Sequence, residues 1–243
     1  MENNNVNDYA YQNVMQLNDA DASRKFIANV FMWMFVALGL STLSAFVFAS
    51  SPALLSLVVD PTRGVTGLGL LIIFSPLAFV LIMRFGMNRI SFPVLALLFI
   101  AYALIMGVTF GFVLLVYTAS SVVGVFLTAS LLFGVMAIAG YTTQQDLTKF
   151  GSIMIMLLVG IIIASVVNLF LHSSGLDMLI SYVGVAVFVG LTAYKVQMLK
   201  NIGAGLEYGD ASSKKLALMG GLSLYITFAN LFLQLLRIFG RRR

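Results

Sequence analysis

The chain has 243 residues, 60% of them hydrophobic and 9% charged, with a formal net charge of +5 and a mean hydropathy of +1.02. A soluble domain carries about 25% charged residues, so this composition excludes one and indicates an integral membrane protein. There is no cysteine, which rules out disulfides, thiolate metal sites and cysteine nucleophiles.

Residues 1 to 25 are polar and Asn-rich, with Glu2, Asp8, Asp19 and Asp21 ahead of Arg24 and Lys25, and read as a disordered or surface-lying tail. The tail lacks the basic start, short apolar core and small-residue cleavage site of a secretory signal, so the first apolar segment is expected to remain as an anchor. Uninterrupted hydrophobicity of spanning length then predicts helices at about 26–49, 65–83, 92–117, 121–142, 150–171, 178–199 and 216–236. Between Ile90 and Gln145 there is no charge at all, room for two spans of about 20 residues each. Helices are indicated because barrel strands alternate apolar and polar residues over about 10 positions, whereas Phe150 to Leu171 is apolar nearly throughout. The organisation that follows is a polar tail over 1–25, an all-α seven-helix transmembrane domain over 26–240 and a basic tail over 241–243.

Lysine and arginine counts set the orientation. With the amino terminus inside, the inner segments hold Arg24, Lys25, Arg84, Arg89, Lys149, Lys195, Lys200, Lys214 and Lys215, against Arg63 alone in the outer connections. Arg237 and the terminal Arg241, Arg242 and Arg243 conflict with this, since seven complete spans put them outside. A re-entrant seventh segment would return them to the inner face, and Gly220, Gly221, Asn230 and Gln234 make that segment polar enough to keep both topologies open.

Gly107 and Gly111 have the spacing that lets helix backbones approach, and Pro76 and Pro93 are expected to kink their helices. Intramembrane polar residues are more informative, because a charge at the centre of a span costs roughly 2.5 to 3.5 kcal/mol even on the lenient insertion scale. Candidates are Asn168 in the fifth span, Tyr225, Thr227, Asn230 and Gln234 in the seventh, and Lys195, the one ionisable group near a span interior. Asn168 and Tyr225 read as interhelical hydrogen-bonding groups. Thr227, Asn230 and Gln234, spaced by three and four, share one helix face, which is expected to look at protein or water.

The segment Leu224-Tyr225-Ile226-Thr227-Phe228-Ala229-Asn230-Leu231-Phe232, followed by Leu235-Leu236-Arg237-Ile238-Phe239-Gly240, resembles the carboxy-terminal signature of the Bax inhibitor-1 family. Further blocks are similar to that family's in the same order, over roughly residues 20 to 240: Met83-Arg84, Gly140 with Asp146-Leu147, Asn168-Leu169-Phe170, and Gly190-Leu191-Thr192-Ala193-Tyr194-Lys195-Val196-Gln197. The resemblance implies a bacterial inner-membrane protein with its last helix at the centre of the others, and in bacterial members a pH-sensitive calcium leak. It also implies a pair of aspartates, on the sixth and seventh helices, that share a proton and close the pore with help from an arginine on the second. Arg84 matches the arginine. The aspartate positions fall on Lys195 and Thr227, so the chain lacks a di-aspartyl switch there.

Three readings of Lys195 stand side by side: its stem reaches the inner headgroups, as Lys200 lies five residues on; its ammonium fills a cation's place in a central cavity, paired with Asp146; or it is itself a proton-sensitive gate. Other chemistries fit poorly, and the chain is not read as an enzyme. A retinal pump needs a lysine in its last helix with carboxylates nearby, a rhomboid-type protease needs more than Gly221-Leu222-Ser223-Leu224, and His172 is the sole histidine, beside Ser173 and Ser174 in a connection. No phosphate-cradling loop, cofactor or nucleic-acid partner is indicated. Lys200, Lys214, Lys215 and the terminal arginines read as anchors to anionic lipid. Two functions remain. One is a leak for calcium or protons, with Arg84, Thr227, Asn230 and Gln234 along the path. The other is a non-transporting regulator of membrane proteins, since the resemblance extends to a bacterial branch that restrains an inner-membrane ATP-dependent protease. The connection from Asn201 to Ser213 is the candidate moving part.

Overall fold

A computed structural model describes residues 4–60, 64–206 and 211–242. Arg63, Arg243, and Glu207, Gly209 and Asp210 of the candidate moving connection lie outside the described residues. The elements are α1 (Asn4–Ser50), α2 (Pro52–Val58), β1 (Val59–Asp60), β2 (Gly64–Val65), α3 (Gly67–Gly86), α4 (Phe92–Val116), α5 (Ala119–Thr142), α6 (Thr148–Leu171), α7 (Ser174–Ala204) and α8 (Ala211–Phe239). All but α2 include a stretch long and apolar enough to cross a membrane, seven in total and one for each predicted span.

Three differences from the sequence expectation have local causes. α1 starts at Asn4, because residues 4 to 38 contain no proline or glycine to stop a helix. The first outer connection is structured: Ser51 caps α2, whose first residue is Pro52, and an antiparallel pair of two-residue strands follows. Pro93 does not kink α4 but opens it, in the first turn, where its missing N–H is not needed. Pro76, by contrast, lies within α3, where it takes away a donor to the Ile72 carbonyl. Ser75 Oγ donates to that carbonyl at 3.0 Å, supplying the bond Pro76 cannot make.

α8 occupies the centre. Two-thirds of its membrane window is buried, against half of α7 and no more than 28% of any other. These two windows are also the least hydropathic, which is why they are inside: lipid accepts the apolar helices, and polar side chains find partners only among protein. α8 packs on α1, α4, α5 and α7, while α3 lies outside against α4, and α6 packs on α7.

The seam between α1 and α4 shows what the small residues do. A Cβ on Gly107 would lie 2.5 Å from the Ser41 carbonyl oxygen, and one on Gly111 would lie 2.5 Å from the Phe48 ring, so glycine is what lets these backbones touch. Ser41 Oγ donates to the Ala103 carbonyl at 2.8 Å and Ser44 Oγ to that of Leu104 at 2.7 Å. With the single Ser41 proton used, the hydroxyl of the fully buried Tyr225 must be the donor in its 2.7 Å bond to Ser41, tying α8 to the α1–α4 pair. Tyr225 therefore is interhelical, as the sequence suggested.

The ends of α8 lie at opposite ends of the bundle. With the amino terminus taken as inside, as the lysine and arginine counts predict, the inner end is where Ser23 of α1 donates to the Lys200 carbonyl at 2.9 Å and Lys215 reaches the Met87 carbonyl at 3.3 Å. At the other end, Thr118 N donates to the Arg241 carbonyl at 3.0 Å, and Arg241 N to Ser121 Oγ at 3.0 Å. The seventh segment is therefore a complete crossing, not a re-entrant loop. Of the conflicting arginines, Arg237 pairs its side chain with Asp177 at 3.4 Å, and Arg242 bridges through its backbone to that of Tyr117.

Candidate functional site

On a helix every Cα–Cβ bond tilts toward the amino-terminal end. α7 runs from the outer end to the inner, so Lys195, although only a few residues from the inner boundary, leans away from the nearest headgroups and into the bundle. Its Nζ donates to Thr227 Oγ1 at 2.8 Å and toward the Ser223 carbonyl at 3.4 Å, and the Thr227 hydroxyl donates to that same carbonyl at 2.8 Å. Thr227 is buried. The snorkelling geometry is thus not adopted by Lys195. Its neighbours have protein partners as well: Lys200 Nζ donates to the Tyr141 carbonyl at 2.8 Å, 5.0 Å above the Tyr141 ring, and Lys215 similarly serves the C-cap of α3.

Lys195 and Thr227 form the floor of a crevice of about 880 Å³ between α6, α7 and α8. From Ser174 to Lys195 it extends roughly 30 Å along α7 at 1.5 Å per residue. The three-four spacing of the α8 seam places Asn230 and Gln234 above Thr227 on its wall, and its outer end carries His172, Asp177, Arg237 and Arg242. Asn230 Nδ2 donates to the Ile226 carbonyl at 2.8 Å. Gln234 lies across Gly184, where an added Cβ would stand 3.0 Å from its carbons, and its Oε1 is buried without a hydrogen-bond partner among the described residues.

Other candidates lie elsewhere. Asn168 is not glue between packed helices. Its Oδ1 accepts from Ser173 N at 3.1 Å and its carbonyl from His172 N at 2.8 Å, closing the α6–α7 turn over a left-handed His172 at φ 49°. Asp146 is exposed and does not meet Lys195; it turns back to accept from Thr148 Oγ1 at 2.6 Å and Thr148 N at 2.9 Å. Those bonds, side chain first, favour the ionised form and hold its carboxyl below the ordinary value. Arg84 is exposed at the inner end of α3 and does not line the crevice. It makes no hydrogen bond or ion pair among the described residues, but its charge is felt at Lys195 as a repulsion of like sign. No cluster of three His, Cys, Asp or Glu side chains that could hold a metal ion occurs among the described residues.

Gln197 is the residue that sequence reasoning passed over. Its Oε1 accepts from Leu147 N at 2.8 Å and its Nε2 donates to the Gln145 carbonyl at 2.7 Å, so one amide clamps the α5–α6 connection to α7 two residues beyond Lys195. The sequence signal was an amide near the end of an apolar span, which alone does not say what it reaches. Gln197→Leu is expected to cost about 1 to 3 kcal/mol, because both backbone groups lose a partner in a part-buried site. Faster hydrogen exchange at the Leu147 amide would check it.

A family model described as "Inhibitor of apoptosis-promoting Bax1" matches residues 23–243. Among curated proteins, the chain is 42% identical over 219 residues to the inner membrane protein YbhL of Escherichia coli, covering 90% of this chain and 92% of that protein. It is 37% identical over 220 residues to an uncharacterized protein of Rickettsia prowazekii, covering 90% and 91%. A protein of Borreliella burgdorferi is 38% identical over 220 residues, covering 90% and 93%.

Proposed function

The chain belongs to the Bax inhibitor-1 family and is a multi-pass inner-membrane protein, and from that premise we propose that it is a scaffold for the leak of calcium or protons that Lys195 holds shut. What supports this is the 2.8 Å bond from Lys195 Nζ to Thr227 Oγ1 at the floor of a polar-seamed crevice. A fixed ammonium sits where a cation would have to pass. At an effective dielectric of about 20, a divalent cation about 4 Å from it meets roughly 8 kcal/mol of repulsion. That lowers occupancy on the order of 10⁶-fold. Arg84 adds charge of the same sign from the inner side.

The test is calcium efflux from proteoliposomes. Wild-type protein is expected to release calcium no faster than protein-free vesicles, and Lys195→Ala to release it several-fold faster. Wild-type efflux as fast as that of Lys195→Ala would show that the lysine locks nothing.

A second reading, regulation of a membrane-bound ATP-dependent protease or other membrane proteins, draws on α1. The backbone helix continues from the start of the span at Asp21 back to Asn4, roughly 25 Å at 1.5 Å per residue, a length available for contact with a partner at the inner end. Deleting residues 2–20 separates the readings. Altered stability of protease substrates with unchanged flux favours the regulator, and the reverse favours the leak.

A further inference from the structure

An ammonium drawn away from water is ordinarily paired with an opposite charge. Lys195 is not: its partners are a hydroxyl and a carbonyl, and no carboxylate lies within ion-pair distance of it among the described residues. The charge that reaches it is Arg84, of the same sign. The crevice above it is basic too, with Lys195, Arg237 and Arg242 against Asp177, which Arg237 already engages. Hydrogen-bond donors face the same space. Of the three protons on Lys195, two go to Thr227 and Ser223; the Asn230 amide has used one donor of two, and the Gln234 amide makes no hydrogen bond among the described residues. A cavity of this kind repels cations and suits an anion.

The walls say what sort of anion. Leu158, Ile161, Phe188, Leu191 and Ile226 give it an apolar wall, and a volume of about 880 Å³ exceeds what a bare ion fills. The crevice also has an open side toward lipid. α6 packs on α7 and hardly on α8, and its lining residues Ile162, Val166 and Leu169 are 54%, 50% and 70% exposed. An amphiphile dissolved in the bilayer therefore has lateral access, with an apolar wall for its chain and a single uncompensated ammonium for its head. We propose that the crevice is a binding site for a single-chain carboxylate amphiphile, the carboxylate on Lys195 and the chain along the α6–α7 wall. This rests on the reading that Lys195 stays in the crevice, but not on whether the protein ever conducts.

The test uses the full chain in nanodiscs of zwitterionic lipid, with labelled laurate as the probe and empty nanodiscs as the background for partitioning. Wild-type protein is expected to bind laurate saturably above that background, while dodecanol and acetate at the same concentration neither bind nor displace it. Lys195→Gln is expected to weaken binding by about tenfold or more, the loss of a charge-assisted bond. Ile162→Trp keeps the charge and fills the wall at a lipid-exposed position, so it is expected to weaken laurate binding even if Lys195→Gln fails to fold. Binding of dodecanol equal to laurate, displacement by acetate, or laurate binding unchanged in both variants would each overturn the proposal. Because the readout is binding, a calcium leak in wild-type protein would sink the lock while leaving this result intact.

Discussion

Replacing Lys195 and Thr227 together by aspartate is expected to convert a protein closed to calcium into one that leaks it at least about tenfold faster than wild type, and faster at about pH 8 than at about pH 6. The geometry dictates both parts. Lys195 and Thr227 already face each other at 2.8 Å, so carboxylates at the two positions point into the same space; Asp is shorter than Lys, and α7 and α8 must draw together for the two to share a proton. Carboxylates that close do not both ionise cheaply and instead hold one proton between them. Retained at lower pH, that proton clips α7 to α8; lost at higher pH, it leaves two negative charges that repel each other and attract a divalent cation. The exchange also removes the ammonium whose repulsion was put at roughly 8 kcal/mol. Calcium efflux from proteoliposomes across that pH range checks it. A double variant that folds and shows no pH-dependent efflux would refute the idea that this crevice is a locked leak.

Gly140→Leu is expected to destabilise the bundle by about 3 kcal/mol, the upper end of ordinary overpacking. A Cβ at Gly140 would fall on the backbone carbonyl of Ala193, and backbone has no rotamer to yield with. α5 and α7 must separate, and because Ala193 lies two residues before Lys195, the crevice floor moves with it. Gly134→Leu, on the same helix, meets nothing within 4 Å and is expected to change stability by less than about 0.5 kcal/mol. Thermal unfolding of the two variants in one detergent would compare them. Equal losses would mean that the α5–α7 approach is not what Gly140 provides.

The spans and the central place of α8 were legible because both follow from solvent preference. A helix with Thr227, Asn230 and Gln234 on one face has nowhere to put them but inward, and the runs around it are apolar enough to meet lipid. What the linear chain does not carry is direction across the bundle. Lys195 lies near enough to the inner boundary to reach water, and only the tilt of side chains on a helix running outer to inner turns it toward Thr227. Asp146 shares the inner end with Lys195 in sequence terms, yet Thr148, two residues on, offers its carboxylate two donors at no cost in chain ordering. Gln197 illustrates the same gap from the other side, since its partners are main-chain groups 50 and 52 residues away and main-chain groups leave no trace in a sequence. Arg84 is exposed at the end of α3 and does not line the crevice, a position that depends on how α3 packs and not on the residues around it in sequence.

The central position of α8 also constrains how the molecule is made. Chains are synthesised from the amino terminus, so the most buried helix is translated after the other six spans. Until it arrives, Ser41 lacks the Tyr225 hydroxyl, Lys195 lacks Thr227, and the glycine faces of α8 at Gly220 and Gly221 have not yet met Val30 and Trp33. The nascent bundle is then an incomplete ring with a polar inner surface turned toward lipid. Insertion of the last helix is the step that closes it, and only that step gives the Lys195 ammonium its two hydrogen-bond partners.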